Sequence, residues 1–178
     1  MNSPFVFNVA ALLRGETMPE QRTQTGPAPE RIGVEMIAIE SGDDVTVDAT
    51  LTPLGTGILV DADVTGTLTG ECARCLATLH PQLDIHVNQF FAADEDSITG
   101  DPEEDADQGS GDETPLINVD ELDLLQTVID EVGLTLPFNP TCEGACANEI
   151  PTREGITTGV SGEEERVDPR WSGLEKFL

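Results

Sequence analysis

The sequence predicts an α+β fold, in which an antiparallel, twisted or barrel-like β-sheet packs against one main amphipathic helix. Four stretches alternate apolar and polar residues with a period of two, which is typical of strands with one buried face. They cover Ile32 to Glu40, Val45 to Thr52, Gly57 to Leu68 and Gln82 to Phe91. Glycine, proline and aspartate residues separate the earlier stretches and favour tight turns, so an antiparallel meander is expected.

The main helix is predicted after residue 117, where Asn118 or Asp120 can act as its N-cap. Gly133 or Pro137 is expected to end it. The apolar residues between these limits recur at spacings of three and four, as one buried helix face requires; they are Leu122, Leu125, Ile129, Val132 and Leu136. The opposite face is expected to be acidic.

The chain is predicted to form a single domain over residues 1–178. Residues 18–30 are rich in Pro, Gln and Thr and are predicted to be a mobile connector. Residues 93–114 include ten acidic residues, so a disordered acidic insert is expected because little apolar surface can be buried there. A short C-terminal helix is expected to start at Asp168 with Pro169 in its first turn. Its apolar stripe would comprise Trp171, Leu174, Phe177 and Leu178.

The charge balance is strongly acidic, with 35 acidic and 8 basic residues and a formal net charge of −27. Affinity for nucleic acid comes largely from Lys and Arg, so direct nucleic-acid binding is not expected. A basic protein partner would be electrostatically favoured. The alternative that the charge serves only solubility stays open at this point. No membrane span is evident and the apolar run at 5–13 is a poor signal peptide, so a cytoplasmic location is expected.

The four cysteines lie in two close pairs, Cys72 with Cys75 and Cys142 with Cys146. Two such pairs can complete a tetrahedral four-sulfur shell, so the prediction is one structural zinc site, with iron as the other metal to consider. Further candidate ligands, should a cysteine lie out of reach, are His80, His86 and Glu149. A redox pair at Cys72 and Cys75, or four chemically idle thiols, remain alternatives.

No catalytic motif accompanies these cysteines. The sequence contains no phosphate-cradling glycine loop and no nucleophile elbow, and it has only two histidines to serve as bases. The residues therefore predict a protein that is not an enzyme.

Several motifs resemble the YceD family of large ribosomal RNA subunit accumulation proteins. Residues 66–76 match that family's "G-x-L-x-x-x-C-x-R-C-L" pattern, and residues 119–125 with 134–137 resemble its helix and the following "L-x-L-P" stretch. Residues 142–146 resemble its second cysteine knuckle, and 168–170 resemble its "D-P-R" signature. One departure is Glu149, which stands where many relatives carry another cysteine.

The resemblance implies a bacterial, non-enzymatic accessory protein that supports the synthesis, processing or stability of 23S ribosomal RNA in large ribosomal subunit production. Together with the acidic charge, it leads us to expect a basic ribosomal protein or a large-subunit assembly factor as the partner. Two alternatives are a thiol–disulfide redox protein that uses Cys72 and Cys75, and a zinc-stapled scaffold with no ribosomal role.

Overall fold

The computed structural model describes residues 3–15, 17–94, 114–146 and 148. Antiparallel strands dominate these residues and helices are few, which is consistent with the α+β prediction. In chain order the elements are β1 (Val6–Asn8), α1 (Ala10–Leu13), β2 (Glu20–Pro27), β3 (Ile32–Val34), β4 (Ile37–Ile39), β5 (Asp44–Pro53), β6 (Gly57–Thr67), β7 (Thr69–Glu71), β8 (Thr78–Leu79), β9 (Gln82–Ala92), β10 (Glu121–Asp123) and α2 (Leu125–Thr135).

The largest sheet has the strand order β2-β5-β6-β9, and every neighbouring pair in it is antiparallel. Alternate residues of the three longest strands face the core, as their period-two pattern predicts. In register, Val47 lies opposite Val64, and Val64 lies opposite Ile85, so the inward side chains form rows across the sheet. Strands β2 and β9 are its two edges in the described part of the chain, and closure into a barrel is not confirmed.

The predicted connector at residues 18–30 is wrong, because it contains strand β2. This strand pairs with β5 along its whole length, from Glu20 opposite Leu51 to Pro27 opposite Asp44. Strand pairing uses backbone groups and does not require an apolar side-chain pattern at a sheet edge. Alternate polar side chains of β2 contact β5 on the solvent face, as in the 2.9 Å hydrogen bond between the Thr25 and Thr46 hydroxyls. Arg22 and Gln24, which lie between these side chains, donate to backbone carbonyls of β1.

A second sheet has the order β3-β4-β7-β8 and carries the first cysteine pair. The stretch from Ile32 to Glu40, predicted as one strand, is a hairpin in which Val34 pairs with Ile37. Strand β7 follows β6 with a break at Leu68, and it pairs through Gly70 with both Ile37 and Leu79. The turn between β7 and β8 therefore lies at one edge of this sheet.

The main helix begins later than its apolar spacing predicts. Asn118 and Glu121 exchange two backbone hydrogen bonds of 2.9 Å around Val119, whose φ is 60°. That turn leads into β10, where Leu122 pairs with Phe7 of β1 instead of joining a helix. Helix α2 starts only at Leu125, and the Asp123 carboxylate accepts the Leu125 N–H at 2.9 Å.

The end of α2 agrees with the second of its two predicted limits, Pro137, and not with Gly133. Gly133 lies inside the helix, which continues to Thr135 and stops where Leu136 becomes extended before Pro137. Val128 and Val132 are fully buried, while Leu125 and Ile129 are partly buried against the core, as is Leu136 directly after the helix. The helix contacts β3 and β9 and so joins the two sheets.

Two predicted segments fall on residues that are not described. All of the acidic insert except its end residues 93, 94 and 114 lies outside the described ranges, and so does the C-terminal helix predicted from Asp168. Neither α1 nor α2, the two helices of the described ranges, is long and apolar enough to cross a lipid bilayer.

Two glycine substitutions test this packing in opposite directions. A Cβ atom at Gly70 would lie 2.5 Å from the Met36 carbonyl oxygen and 2.8 Å from Ile37 Cβ, so Gly70→Ala should lower the free energy of unfolding by about 1–3 kcal/mol. At Gly133 nothing lies within 4 Å of such an atom, and Gly133→Ala should raise it by about 0.5–1 kcal/mol through helix propensity. Urea unfolding measures the stability of both variants, and equal unfolding midpoints for Gly70→Ala and Gly133→Ala would contradict the structure.

Candidate metal centre

The first cysteine pair lies in the turn that joins β7 to β8. The Cys72 N–H donates to the Ala77 carbonyl at 2.8 Å, and the Leu76 N–H donates to the Cys72 carbonyl at 2.9 Å. Leu76 has a φ of 56°, in the left-handed region that a tight turn requires and that a non-glycine residue rarely adopts. These bonds close a compact turn, and Cys72 and Cys75 are both buried within the fold.

The second pair lies in the loop after α2, and three hydrogen bonds join that loop to the first turn. The Ala73 N–H donates to the Pro140 carbonyl at 2.8 Å. The Cys142 N–H donates to Cys72 Sγ at 3.4 Å. The Asn148 side-chain amide donates to the Cys75 carbonyl at 3.1 Å. The two turns are therefore fixed to each other by backbone contacts as well as by proximity of their sulfur atoms.

The four sulfur atoms all lie within 4.8 Å of one another. The Cys75 and Cys142 sulfurs are 3.7 Å apart, and all four cysteines are free thiols, since a disulfide would place two sulfurs about 2.0 Å apart. Four thiolates bound tetrahedrally to zinc at about 2.3 Å would have sulfur–sulfur separations of about 3.8 Å. The donor set and its spacing therefore fit a tetrahedral zinc ion.

The surroundings of the thiols shift their pKa values in opposite directions. Backbone N–H groups, first that of Cys75, lower the pKa of Cys72 to about 6 because they stabilise its thiolate. The backbone N–H groups of Asn148 and Ala77 likewise lower the pKa of Cys75. Burial, followed by the effect of the neighbouring sulfurs, raises the pKa of Cys146 to about 11. Without a cation, four thiolates in so small a volume would repel one another, and a metal ion removes that repulsion.

Of the three alternative ligands, two lie apart from this cluster and the third lies outside the described residues. His80 lines a neighbouring groove, whereas His86 lies on the solvent face of the large sheet and contacts Asp63 and Asp61. Glu149 lies outside the described residues. Within the described ranges, the cluster with metal-ligand spacing consists of cysteines alone.

Sequence reasoning missed the groups that position the cysteines. Asn148 and Pro140 tie the second loop to the first, but both act on or through backbone carbonyls. A carbonyl acceptor is present at every residue, so no residue type in the sequence marks it. Asparagine is common in loops, so Asn148 alone does not indicate a role in positioning the cysteines.

Beside the cysteines lies a groove, here called groove A, with a cavity volume of about 530 Å³. Strand β8 and the residues after it form one wall, and the chain after α2 forms the other. Its lining residues are Ile37, Leu68, Leu79, His80, Pro81, Gln82, Leu136, Pro137, Asn139, Pro140, Thr141 and Glu143.

Comparison with known proteins decides the family. A family model described as "Large ribosomal RNA subunit accumulation protein YceD" matches residues 60–178, which is more than half of the chain and includes all four cysteines. The chain belongs to the YceD family. This confirms the resemblance seen in the sequence motifs.

Curated relatives extend the similarity over nearly the whole chain. This YceD-family chain is 33% identical over 177 residues to uncharacterized proteins of Mycobacterium tuberculosis and Mycobacterium bovis, covering 99% of the chain and 82% of each relative. It is 32% identical over 179 residues to an uncharacterized protein of Mycobacterium leprae, covering 99% of the chain and 78% of that relative. No solved structure matches the chain.

The cysteine geometry predicts one metal ion per chain. Replacing Cys142 by Ser should abolish stoichiometric zinc binding and lower the melting temperature, because a structural zinc site contributes on the order of 10 kcal/mol in small domains. Elemental analysis and thermal unfolding with and without a chelator measure this, and Thr141→Ser serves as the neighbouring control. Protein purified gently without zinc or iron, with four reactive thiols, would contradict the site. A reversible Cys72–Cys75 disulfide would instead support the redox alternative.

Metal affinity should fall as the pH falls. Each sulfur ligand must lose its proton before it binds, so protons compete with the metal and the complex is favoured at higher pH. Cys146, with its pKa raised to about 11, holds a proton at neutral pH in the metal-free protein, so zinc binding should release that proton. Zinc titration in weakly buffered solution measures the release. Affinity that is independent of pH would exclude thiolate ligation.

His86 provides a pH prediction away from the cysteines. Its Nδ1 lies 2.9 Å from Asp63 and its Nε2 lies 3.4 Å from Asp61, and the hydrogen bond to Asp63 is the main reason that its pKa rises above 6.5. The stabilisation is present in full below 6.5 and is lost as the pH rises through the folded-state pKa. NMR titration should show the raised pKa, and Asp63→Asn should lower it whereas Asp84→Asn should change it little. An unchanged pKa in Asp63→Asn would contradict the contact.

Proposed function

We propose that this chain is a non-enzymatic, cytoplasmic accessory protein that supports 23S ribosomal RNA synthesis, processing or stability during large ribosomal subunit production. The observation that carries this proposal is the family match over residues 60–178, whose description names large ribosomal RNA subunit accumulation. In the described residues, the chemistry-bearing cluster with metal-ligand spacing is the four-cysteine centre. Its ligand set has the all-cysteine composition of structural zinc sites.

The zinc ion would hold the chain after α2 against the second sheet. Cys72 and Cys75 would supply two thiolates from the turn between β7 and β8, and Cys142 and Cys146 would supply two from the loop after the helix. Zinc would contribute positive charge that neutralises the thiolates and closes the shell. With four protein ligands no position remains for water or substrate, which favours a structural role over a catalytic one.

The partner that we propose is a basic ribosomal protein or large-subunit assembly factor. The net charge of −27 already includes all eight basic residues, and three of the described arginines lie within 4.0 Å of a carboxylate, so the positive charge that they carry is locally neutralised. These pairs are Arg14 with Asp120, Arg22 with Glu20, and Arg31 with Glu40. A strongly negative surface attracts a basic protein and repels the phosphates of bare RNA.

Helix α2 provides the first surface to test. The acidic residues of α2, of β10 and of the position before β10 are Asp120, Glu121, Asp123, Asp130 and Glu131. Two of these carboxylates have structural contacts: Asp120 with Arg14 at 3.9 Å, and Asp123 with the N-terminus of α2. Asp130 and Glu131 line a second groove, here called groove B, and hydrogen-bond only to neighbouring helix side chains in the contacts described. They can therefore be neutralised with little effect on the fold.

Affinity capture of the tagged chain from growing cells tests the role. We expect co-purification of a basic ribosomal protein or assembly factor, and we expect depletion of the chain to lower the ratio of 23S to 16S ribosomal RNA. Bare 23S ribosomal RNA fragments should not bind at moderate salt. Normal 23S levels after depletion, or tight binding to bare RNA without protein, would contradict the proposal.

Charge neutralisation tests the surface. The double variant Asp130→Asn, Glu131→Gln should slow association with the captured partner several-fold at low salt, and the difference should shrink as salt screens the charges. The matched control is Asp48→Asn, Asp84→Asn, which removes the same charge from the solvent face of the large sheet. Equal slowing by both variants would show that net charge alone matters and would exclude α2 as the docking surface.

A further inference from the structure

Groove A has an apolar lining without an occupant among the described residues. Its apolar members come from both walls. Ile37, Leu68 and Pro140 are buried, whereas Leu79 and Leu136 are half-buried and Pro137 is exposed, so these last three present apolar surface to water. Apolar surface that faces water is unfavourable, and burial of such surface is the main force that stabilises folded chains. A volume of about 530 Å³ can accept more than one large side chain, since small-molecule pockets span roughly 300–1,000 Å³.

The chain leaves the described body beside this groove. Thr141 and Glu143, in its wall, belong to the same loop as Cys142 and Cys146. Asn148, the last residue described, is hydrogen-bonded to the Cys75 carbonyl, so the exit point is fixed at the cysteine centre. An extended chain covers roughly 3.3–3.6 Å per residue, so the nineteen residues 149–167 are long enough for a return to groove A.

The sequence after that exit has one concentrated apolar stretch, at its end. Segment 168–178 reads Asp-Pro-Arg-Trp-Ser-Gly-Leu-Glu-Lys-Phe-Leu, and its large apolar residues are Trp171, Leu174, Phe177 and Leu178. The family match extends through residue 178, so this segment belongs to the unit that the family shares.

The net charge of segment 168–178 does not oppose its binding to the acidic remainder of the chain. The segment holds two of the chain's eight basic residues, Arg170 and Lys176, and these balance Asp168 and Glu175. A segment with zero net charge meets no net repulsion from a protein of net charge −27. Glu143 on the wall of groove A is a specific carboxylate that Arg170 or Lys176 could meet.

We propose that segment 168–178 of this chain packs its apolar side chains into groove A. Groove B is the competing location within the described residues, but its lining is more polar and includes Asp123, Asp130 and Glu131. This inference does not depend on the ribosomal role, because it concerns only contacts within one chain.

Trp171 makes the test direct, because the chain contains one Trp and no Tyr. Tryptophan emission from the full-length, metal-loaded protein therefore reports on segment 168–178 alone. We expect emission at a shorter wavelength than that of a free tryptophan analogue, and several-fold weaker quenching by acrylamide. Leu79→Glu, which places a charge in groove A, should move both values toward those of the free analogue. Leu134→Glu, at an exposed position in groove B, should leave both values unchanged.

A second pair of variants covers the case in which Leu79→Glu fails to fold, as circular dichroism would show. Leu174→Glu changes the segment itself and should expose Trp171 to quenching, whereas Ser172→Glu adds the same charge at a polar position and should not. Three results would overturn the proposal: emission and quenching of the unmodified protein equal to those of the free analogue, exposure caused by Leu134→Glu, or a change on dilution. The last would mean that the segment occupies a second copy of the chain.

Discussion

Strand β6 constrains the rest of the structure, because it is paired on both sides and buries alternate side chains almost completely. Ile58, Val60, Ala62 and Val64 are at most 1% exposed, and burying a side chain such as Val or Ile contributes roughly 1.5–3 kcal/mol. That contribution is available only if other elements cover the inward face of the sheet. The hairpin of β3 and β4, the pair of β1 and β10, and helix α2 supply that cover, which fixes where each of them lies.

The cysteine centre depends on this arrangement. Cys75 and Cys142 are far apart in sequence, and their sulfurs meet only because α2 packs against β3 and β9 and delivers the following loop to the turn between β7 and β8. A metal bound by all four thiolates would close this long segment, and loop-closure entropy grows only slowly with length, by about 0.6 kcal/mol for each doubling. A long insert between the cysteine pairs is therefore compatible with a stable centre.

Much of this organisation could be predicted from the sequence, since β5, β6 and β9 begin and end within one residue of their predicted limits. The two cysteine pairs also come together as their spacing predicts. The incorrect predictions concern segments whose backbone pairs as a strand although their side-chain pattern does not indicate one. Strand β2 is a polar edge strand whose pairing leaves no apolar pattern. Leu122 stands at a spacing that suits a helix stripe, yet its pairing with Phe7 makes it part of a strand.

The solvent face of the large sheet shows how the acidic charge is arranged. Asp48 lies directly opposite Asp63, and like charges in that position are destabilising. His86, opposite Asp63 on the other side, offsets part of this repulsion through its contacts with Asp63 and Asp61. One imidazolium cannot balance three neighbouring aspartates, so protonation of His86 changes the magnitude of the local negative charge and not its sign. The solvent face of the large sheet therefore stays acidic on either side of the His86 titration.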